Sequence, residues 1–220
     1  MSDLRIQLDG ATLAPPTDAR IGALAHSASR PDAVLPQSEA HYVKWILGRT
    51  PPEIERQRAE RIRSNRDLRR GPGWTLDLAV FVHGTPVGLQ SLSGLAQWPQ
   101  QRIVGTTSWL LAEHQRHGLG TRCRAAVLEL AFAHLNADAA RSWALQENNA
   151  SNAVSDKLGY RQIERHTLVE DGRRFEELVW EVRRDDWLGS PVRRSLALVV
   201  ENADRLVTLL GEPGTPSHPA

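Results

Sequence analysis

The stretch Gln115-Arg116-His117-Gly118-Leu119-Gly120-Thr121 decides how the rest of the chain is read. Before it, Ile103 to Leu111 reads as a strand. After it, Leu119, Arg122, Ala126, Leu130 and Ala133 recur at helical spacing to about Leu135. A strand that runs through a glycine-containing turn into a helix aims several backbone N–H groups at one place. That place lies at the positive end of the helix dipole and suits an anion, phosphate above all. Gly118 and Gly120 let the backbone approach a ligand, and Arg116 adds a cation at the mouth. On spacing alone a plain glycine turn explains the same residues. No Gly-Lys-Ser/Thr follows, so a Walker loop is excluded. A dinucleotide fingerprint fits poorly, because it wants a third glycine and an acid about 20 residues on.

Upstream of the turn the pattern is that of a sheet. Trp74, Leu76, Leu78, Val80 and Val82 alternate along one strand, His83-Gly84-Thr85-Pro86 is a tight turn, and Val87 to Leu92 returns. Further back, residues 4–13 form a first strand and 18–28 a short helix capped at Pro15-Pro16-Thr17-Asp18. A helical stretch from Ser38 runs through Trp45 and Ile46 until Pro51-Pro52 interrupts it. Glu53 to Arg70 is a charged helix that Gly71-Pro72-Gly73 stops. Downstream, Ser142 to Leu145 is a short buried strand, and Ala150 to Leu158 is a helix closed by Gly159. Tyr160 to Val169 and Phe175 to Val182 form a hairpin across Glu170-Asp171-Gly172-Arg173. Residues 1–187 are expected as one domain and 188–220 as a C-terminal extension. In that extension Leu196 to Leu210 is strand or helix, and the Pro- and Gly-rich end from Gly211 is disordered.

A chain of 220 residues is long enough for one sizeable core of α/β or α+β type. With 27 Lys and Arg against 26 Asp and Glu, no global basic field exists to hold nucleic acid. The single cysteine, Cys123, excludes a disulfide framework and a Cys-rich zinc site. No apolar run approaches the roughly 18–20 residues that span a bilayer. The N-terminus lacks an apolar signal core. A cytoplasmic protein with no membrane partner is the expectation.

Two longer segments add a resemblance. Gly105 to Thr121, continued by Arg124-Ala-Ala-Val-Leu-Glu-Leu-Ala-Phe132, looks like motif A of the GNAT (GCN5-related N-acetyltransferase) superfamily. Asn148-Asn-Ala-Ser-Asn-Ala-Val154 with Lys157-Leu-Gly-Tyr160 looks like its motif B. The pair is similar to the RimJ/RimL-like branch. Trp74–Val82, the Ser108-Trp-Leu strand and Arg124–Leu128 resemble actinobacterial members associated with succinyl-CoA. The resemblance covers roughly residues 74–187. It implies a mixed, mainly antiparallel sheet flanked by helices, with acetyl-CoA or succinyl-CoA as co-substrate. It also implies an amine acceptor: a protein N-terminus, a lysine or a small molecule.

In that fold the strand before the turn and the strand before motif B splay apart, and pantetheine fills the wedge. The resemblance assigns the pyrophosphate to the amides of the turn, with Gln115, Arg116, His117, Gly118, Leu119, Gly120 and Thr121 as cofactor-binding residues. It gives pantetheine main-chain contacts at Leu110 and Leu111. A backbone N–H on this strand would stabilise the tetrahedral oxyanion, and the amine would attack directly in a ternary complex. Asn148 matches an asparagine near the cofactor and is equally a helix cap. Ser151 matches a serine near the sulfur and is the candidate catalytic proton donor; it also reads as a cap of the short helix. Ser155 stands where many relatives carry tyrosine, and Gly105 where RimL-like enzymes place a glutamate.

That leaves the general base open among a water chain, Glu113, Glu147 and Asp138, unless the acceptor arrives as free amine. Gln90, Trp45 and Trp98 are the candidate acceptor-binding residues. His114 and His117 have too few companions for a metal, so no metal is expected. A non-catalytic acyl-CoA-binding sensor or scaffold, and a nucleotide-binding domain of another kind, remain alternatives. The sequence is also compatible with a homodimer.

Overall fold

The computed structural model describes residues 3–68, 73–95, 98, 100–170 and 172–211. The expected disorder from residue 212 onward, most of the Gly71-Pro72-Gly73 stop and Asp171 of the hairpin turn lie outside these. In chain order the strands are β1 (Arg5–Leu8), β2 (Ala11–Ala14), β3 (Thr75–Val82), β4 (Thr85–Gly94), β5 (Ile103–Leu110), β6 (Ala139–Leu145), β7 (Arg161–Glu170), β8 (Arg173–Arg183) and β9 (Leu198–Glu201). The helices are α1 (Asp18–Ser29), α2 (Pro51–Ser64), α3 (Leu119–Glu129), α4 (Asn149–Lys157), α5 (Arg184–Leu188), α6 (Pro191–Arg194) and α7 (Asp204–Gly211). The nine strands among the described residues join one sheet in the order β7-β8-β6-β5-β4-β3-β2-β1-β9. Every pairing is antiparallel except β5 with β6.

The middle of the sheet is buried on both faces, whereas the edge strand β7 is exposed along almost its whole length. On one, Ile21 and Leu24 of α1 and Ala59 and Ile62 of α2 pack on Ala79, Leu89 and Trp109. On the other, Cys123, Ala126 and Phe132 around α3 pack on Leu78, Val80, Leu92 and Val104. Alternation within β3 explains this: Leu78 and Val80 point to the α3 face and Ala79 to the α1–α2 face.

Four segments differ from the sequence reading. The helical stretch expected from Ser38 is a 3-10 helix over Gln37–Tyr42 only, and Trp45 and Ile46 lie in turns. Residues 4–13 are a hairpin, β1 and β2, because Asp9-Gly10 turns the chain with Gly10 at φ 71°. Pro51 and Pro52 begin α2 and interrupt nothing, since the first helical positions need no N–H partner. Glu53 completes the start by accepting from the Thr50 N–H at 2.8 Å and the Thr50 hydroxyl at 2.7 Å. The same helix ends at Ser64, short of Arg70. Asn65 turns its amide to Asp77, and Arg66 reaches back to Asp18 and the Pro16 carbonyl. The stretch that reads as strand or helix holds both. β9 pairs with β1, and α7 buries Leu206 and Leu210 in the α3-side core.

Candidate active site

The parallel pairing of β5 with β6 is short. It covers Ile103–Ala139, Val104–Ala140 and Gly105–Arg141, and then no ladder bond links the two strands. β5 continues to Leu110 on β4 alone, and β6 to Leu145 on β8 alone. The strands therefore part into a wedge, and hydrogen-bond phase says which groups face it. Leu111 donates to the Val87 carbonyl at 2.8 Å beside the Gly88–Leu110 pair. In an antiparallel ladder this engages Trp109 and Thr107 with β4 and turns the main-chain groups of Ser108 and Leu110 toward β6. Gln146 donates to the Glu176 carbonyl at 2.7 Å and sets β6 the same way, so Trp143 and Leu145 face β5. Thr106 Oγ1 donates to the Arg141 carbonyl at 3.2 Å, at the point where the wedge opens.

This corrects one expected contact. Leu111 has neither main-chain group free: its N–H is on Val87, and its carbonyl accepts from His114 N–H at 2.9 Å. The available edge belongs to Ser108 and Leu110. The Leu110 carbonyl takes the Gln115 side-chain amide at 2.8 Å, which leaves its N–H for a ligand. Gln115 also donates to the Val34 carbonyl at 2.6 Å, so its side chain fastens the loop to the body of the protein.

At the end of β5 the chain enters α3 through Arg116 and Gly118, both left-handed at φ 64° and 75°. Gly118 is the N-cap, and the N–H groups of Leu119, Gly120 and Thr121 have no intrahelical acceptor. Leu119 buries its side chain in the core, whereas Arg116, His117 and Gly118 are exposed. A Cβ added at Gly120 would meet only Leu110 Cδ1, at 3.8 Å, so the fold tolerates a side chain there. Arg122 brings a second cation that sequence reasoning missed. It donates to the His117 carbonyl at 3.4 Å, and its Nε is buried without a partner among the described residues.

Across the wedge, α4 follows β6. Asn148 caps it by accepting from Ser151 N–H at 3.1 Å. Asn152 ties the helix to the wedge, donating to the Leu145 and Gln146 carbonyls and accepting from the Trp180 indole at 3.0 Å. Arg124 of α3 bridges to α4. It donates to Ser155 Oγ at 3.0 Å and to Ser151 Oγ at 3.4 Å while only 4 % exposed. Tyr160 meets Thr106 Oγ1 at 3.4 Å, and burial pushes its phenol pKa above the usual value.

The acceptor candidates do not converge. Trp45 lies on the α1–α2 face, 5.5 Å edge-on to Trp109, with the Arg58 guanidinium 4.5 Å over its ring. Burial lowers Arg58 to about 10. Trp98 lies on the opposite face, against Trp74 at 5.4 Å, and donates to the Leu210 carbonyl at 3.4 Å. One pocket cannot use both tryptophans, and Trp98 serves packing. Gln90 is fully buried, and its amide nitrogen donates to the Ser91 and Thr107 carbonyls. At Gly105 a Cβ would stand 3.2 Å from Leu95 and 3.3 Å from the Trp143 ring, so a carboxylate there needs both to move.

Glu113, Glu147 and Asp138 are exposed. Among the described residues the buried carboxylate is Asp77, held by Ser91 Oγ at 2.6 Å and Asn65 Nδ2 at 2.8 Å. Burial raises its pKa against the pull of those hydrogen bonds. Its signal in the sequence was one acid inside the apolar run Thr75–Val82. Among the described residues no group of three His, Cys, Asp or Glu is placed to hold a metal.

A wedge with open backbone edges, closed at one end by a helix N-terminus and two arginines, is built to hold an extended ligand with a phosphate end. The family model described as an acetyltransferase (GNAT) domain matches residues 11–161. The chain belongs to the GNAT acetyltransferase family. Membership makes this GNAT chain an acyl-CoA-dependent N-acyltransferase. Solved structures agree on the fold. A GCN5-related N-acetyltransferase from Brucella melitensis superposes with a TM-score of 0.69 at 17% identity, covering 86% of this chain and 82% of that one. RimL, a ribosomal L7/L12 alpha-N-protein acetyltransferase in complex with coenzyme A, gives 0.64 at 16% identity over 80% and 95%. A ribosomal-protein-S5-alanine acetyltransferase from Vibrio fischeri gives 0.62 at 14% over 83% and 98%. Among the described residues no helix of this GNAT chain is long and apolar enough to cross a membrane.

Proposed function

We propose that this GNAT enzyme moves an acetyl or succinyl group from acyl-CoA to a primary amine by direct attack in a ternary complex. The observation that carries the proposal is the wedge past Gly105–Arg141, whose open edges meet the α3 N-terminus. The amides of Leu119, Gly120 and Thr121, with Arg116 and Arg122 beside them, take the pyrophosphate. Ser108 and Leu110 hold pantetheine through the main chain, and an N–H of this edge stabilises the oxyanion. Ser151 stands by the sulfur. The amine's proton passes to water, because Gly105 offers no carboxylate and Glu113 and Glu147 are exposed.

Arg58 is held over Trp45 beside Trp109 and has no ion-pair partner among the described residues. It favours an acyl chain that ends in a carboxylate, hence succinyl. The fold likeness to enzymes named for ribosomal-protein N-terminal acetylation supports a protein α-amine as acceptor. Thioester consumption with acetyl-CoA and succinyl-CoA side by side, against peptide N-termini, lysine peptides and small amines, tests both statements. Tight acyl-CoA binding without turnover on every amine would establish a sensor or scaffold in place of an enzyme.

A further inference from the structure

Arg124 poses an electrostatic problem. A guanidinium withdrawn from water is normally compensated by a carboxylate. Here the partners are two hydroxyls, Ser155 at 3.0 Å and Ser151 at 3.4 Å, and Nε has none among the described residues. Burial pushes the Arg124 pKa below the usual arginine value; Tyr160 is the titratable group that pulls against this, and that phenol stays neutral. The other charged groups nearby are turned elsewhere. Asp156 and Lys157 of α4 are exposed, Glu129 of α3 pairs with Arg193, and Arg141 of β6 pairs with Glu181. The site therefore holds an uncompensated positive charge where α3 and α4 flank the wedge.

Arginine only donates, so both serine oxygens must accept from it. Ser155 sends its own proton to the Ser151 carbonyl at 3.3 Å. The Ser151 hydroxyl proton is left without an assigned acceptor, on a half-buried side chain in the first turn of α4. We propose that Arg124 is a positioning residue that turns this proton toward the sulfur of acyl-CoA and sets a fixed positive charge behind it. The inference rests on the acyl-CoA reading of the wedge. As the amine nitrogen bonds to the carbonyl carbon, the C–S bond breaks with its electron pair on sulfur. The nitrogen's proton goes to water. The thiolate leaves hydrogen-bonded to Ser151, with Arg124 behind that hydroxyl, and takes its own proton from solvent on release.

The readout is the thiol of bound CoA, followed by thiolate ultraviolet absorbance as pH is raised. In the native protein it should ionise about one unit below free CoA, a tenfold change in dissociation. Arg124→Met should return it to the free value while leaving the affinity for desulfo-CoA, which has no sulfur, unchanged. Arg124→Lys should keep most of the shift. Arg124→Gln, neutral and of similar reach, replaces the methionine variant if that one does not fold. An unshifted thiol in native protein that binds CoA would overturn the proposal. So would equal loss of desulfo-CoA and CoA binding in the neutral variant, which marks a purely structural residue. Failure of native protein to bind CoA at all would instead overturn the acyl-CoA reading.

Discussion

In the proposed site the two faces of the sheet recognise the ligand by different means. The α3 side of the wedge works with backbone: Gly118 in a left-handed cap, open amides from Leu119 to Thr121, and the edges of Ser108 and Leu110. The α1–α2 side offers side chains: Arg58 on Trp45 and Trp45 on Trp109. Backbone recognition is indifferent to most side chains and fits a ligand part that never varies. Side-chain recognition changes with each substitution and fits the acyl tail and the acceptor.

The largest expected effect tests the first half. Gly120→Glu places bulk and negative charge where the pyrophosphate belongs and should weaken acyl-CoA by at least about a hundredfold in calorimetry. Because a Cβ there has room, Gly120→Ala should fold normally, so lost binding reports on the ligand. If the glutamate variant binds unchanged, the backbone half of the comparison fails. Next, Arg58→Ala should lower the preference for succinyl-CoA over acetyl-CoA by about ten- to a hundredfold, the range of a hydrogen bond to a charged group. An unaltered ratio of kcat/KM for the two donors would remove Arg58 from the acyl site.

Ser151→Ala should reduce kcat about tenfold with little change in acyl-CoA affinity, the loss of one hydrogen bond made mainly to the leaving group. Equal turnover would leave Ser151 without a catalytic part. The smallest effect concerns Asp77. Its folded-state pKa is raised by burial, so the folded protein holds that proton more tightly than the unfolded chain. Its contribution is fully present in acid and is lost as pH rises through the raised value. Asp77→Asn should therefore melt higher than the native protein at neutral pH, with the gap closing toward acid. A lower melting temperature at neutral pH would make the ionised carboxylate a needed partner of Ser91 and Asn65.

The same division explains what could be read from the chain. The strand–turn–helix at Gln115–Thr121 was legible because glycine spacing and a change of hydrophobic period are local signals, while its reading as a phosphate cradle came from the resemblance. The wedge was legible only through resemblance, since where β5 parts from β6 depends on strands far apart in sequence. Leu111 shows the limit of position alone: being next to Leu110 says nothing of which main-chain groups the ladder has already engaged. Trp98 shows another, because an aromatic in a loop has no periodicity to say which face of the sheet it will cover. Asp77 and Arg124 went unread because a lone charge in an apolar run looks like an interruption until its hydroxyl and amide partners, up to 31 residues away, are in place. The Asp9-Gly10 turn, by contrast, was a local signal that a loose alternation across residues 4–13 masked.

The seam between β1 and β9 bears on how the chain is made. Arg5 to Leu8 pairs with Leu198 to Glu201, and Asn202 donates to the Asp3 carbonyl at 2.9 Å. β1 thus gains its outer neighbour only from a segment that lies far downstream in the chain, at Leu198–Glu201. Until that segment is in place β1 is an open edge, able to recruit any extended segment it meets. The strands that bound the wedge, β4, β5, β6 and β8, are all complete by Arg183. A nascent chain halted there should already hold the proposed ligand cleft while the β1 edge stays unsealed.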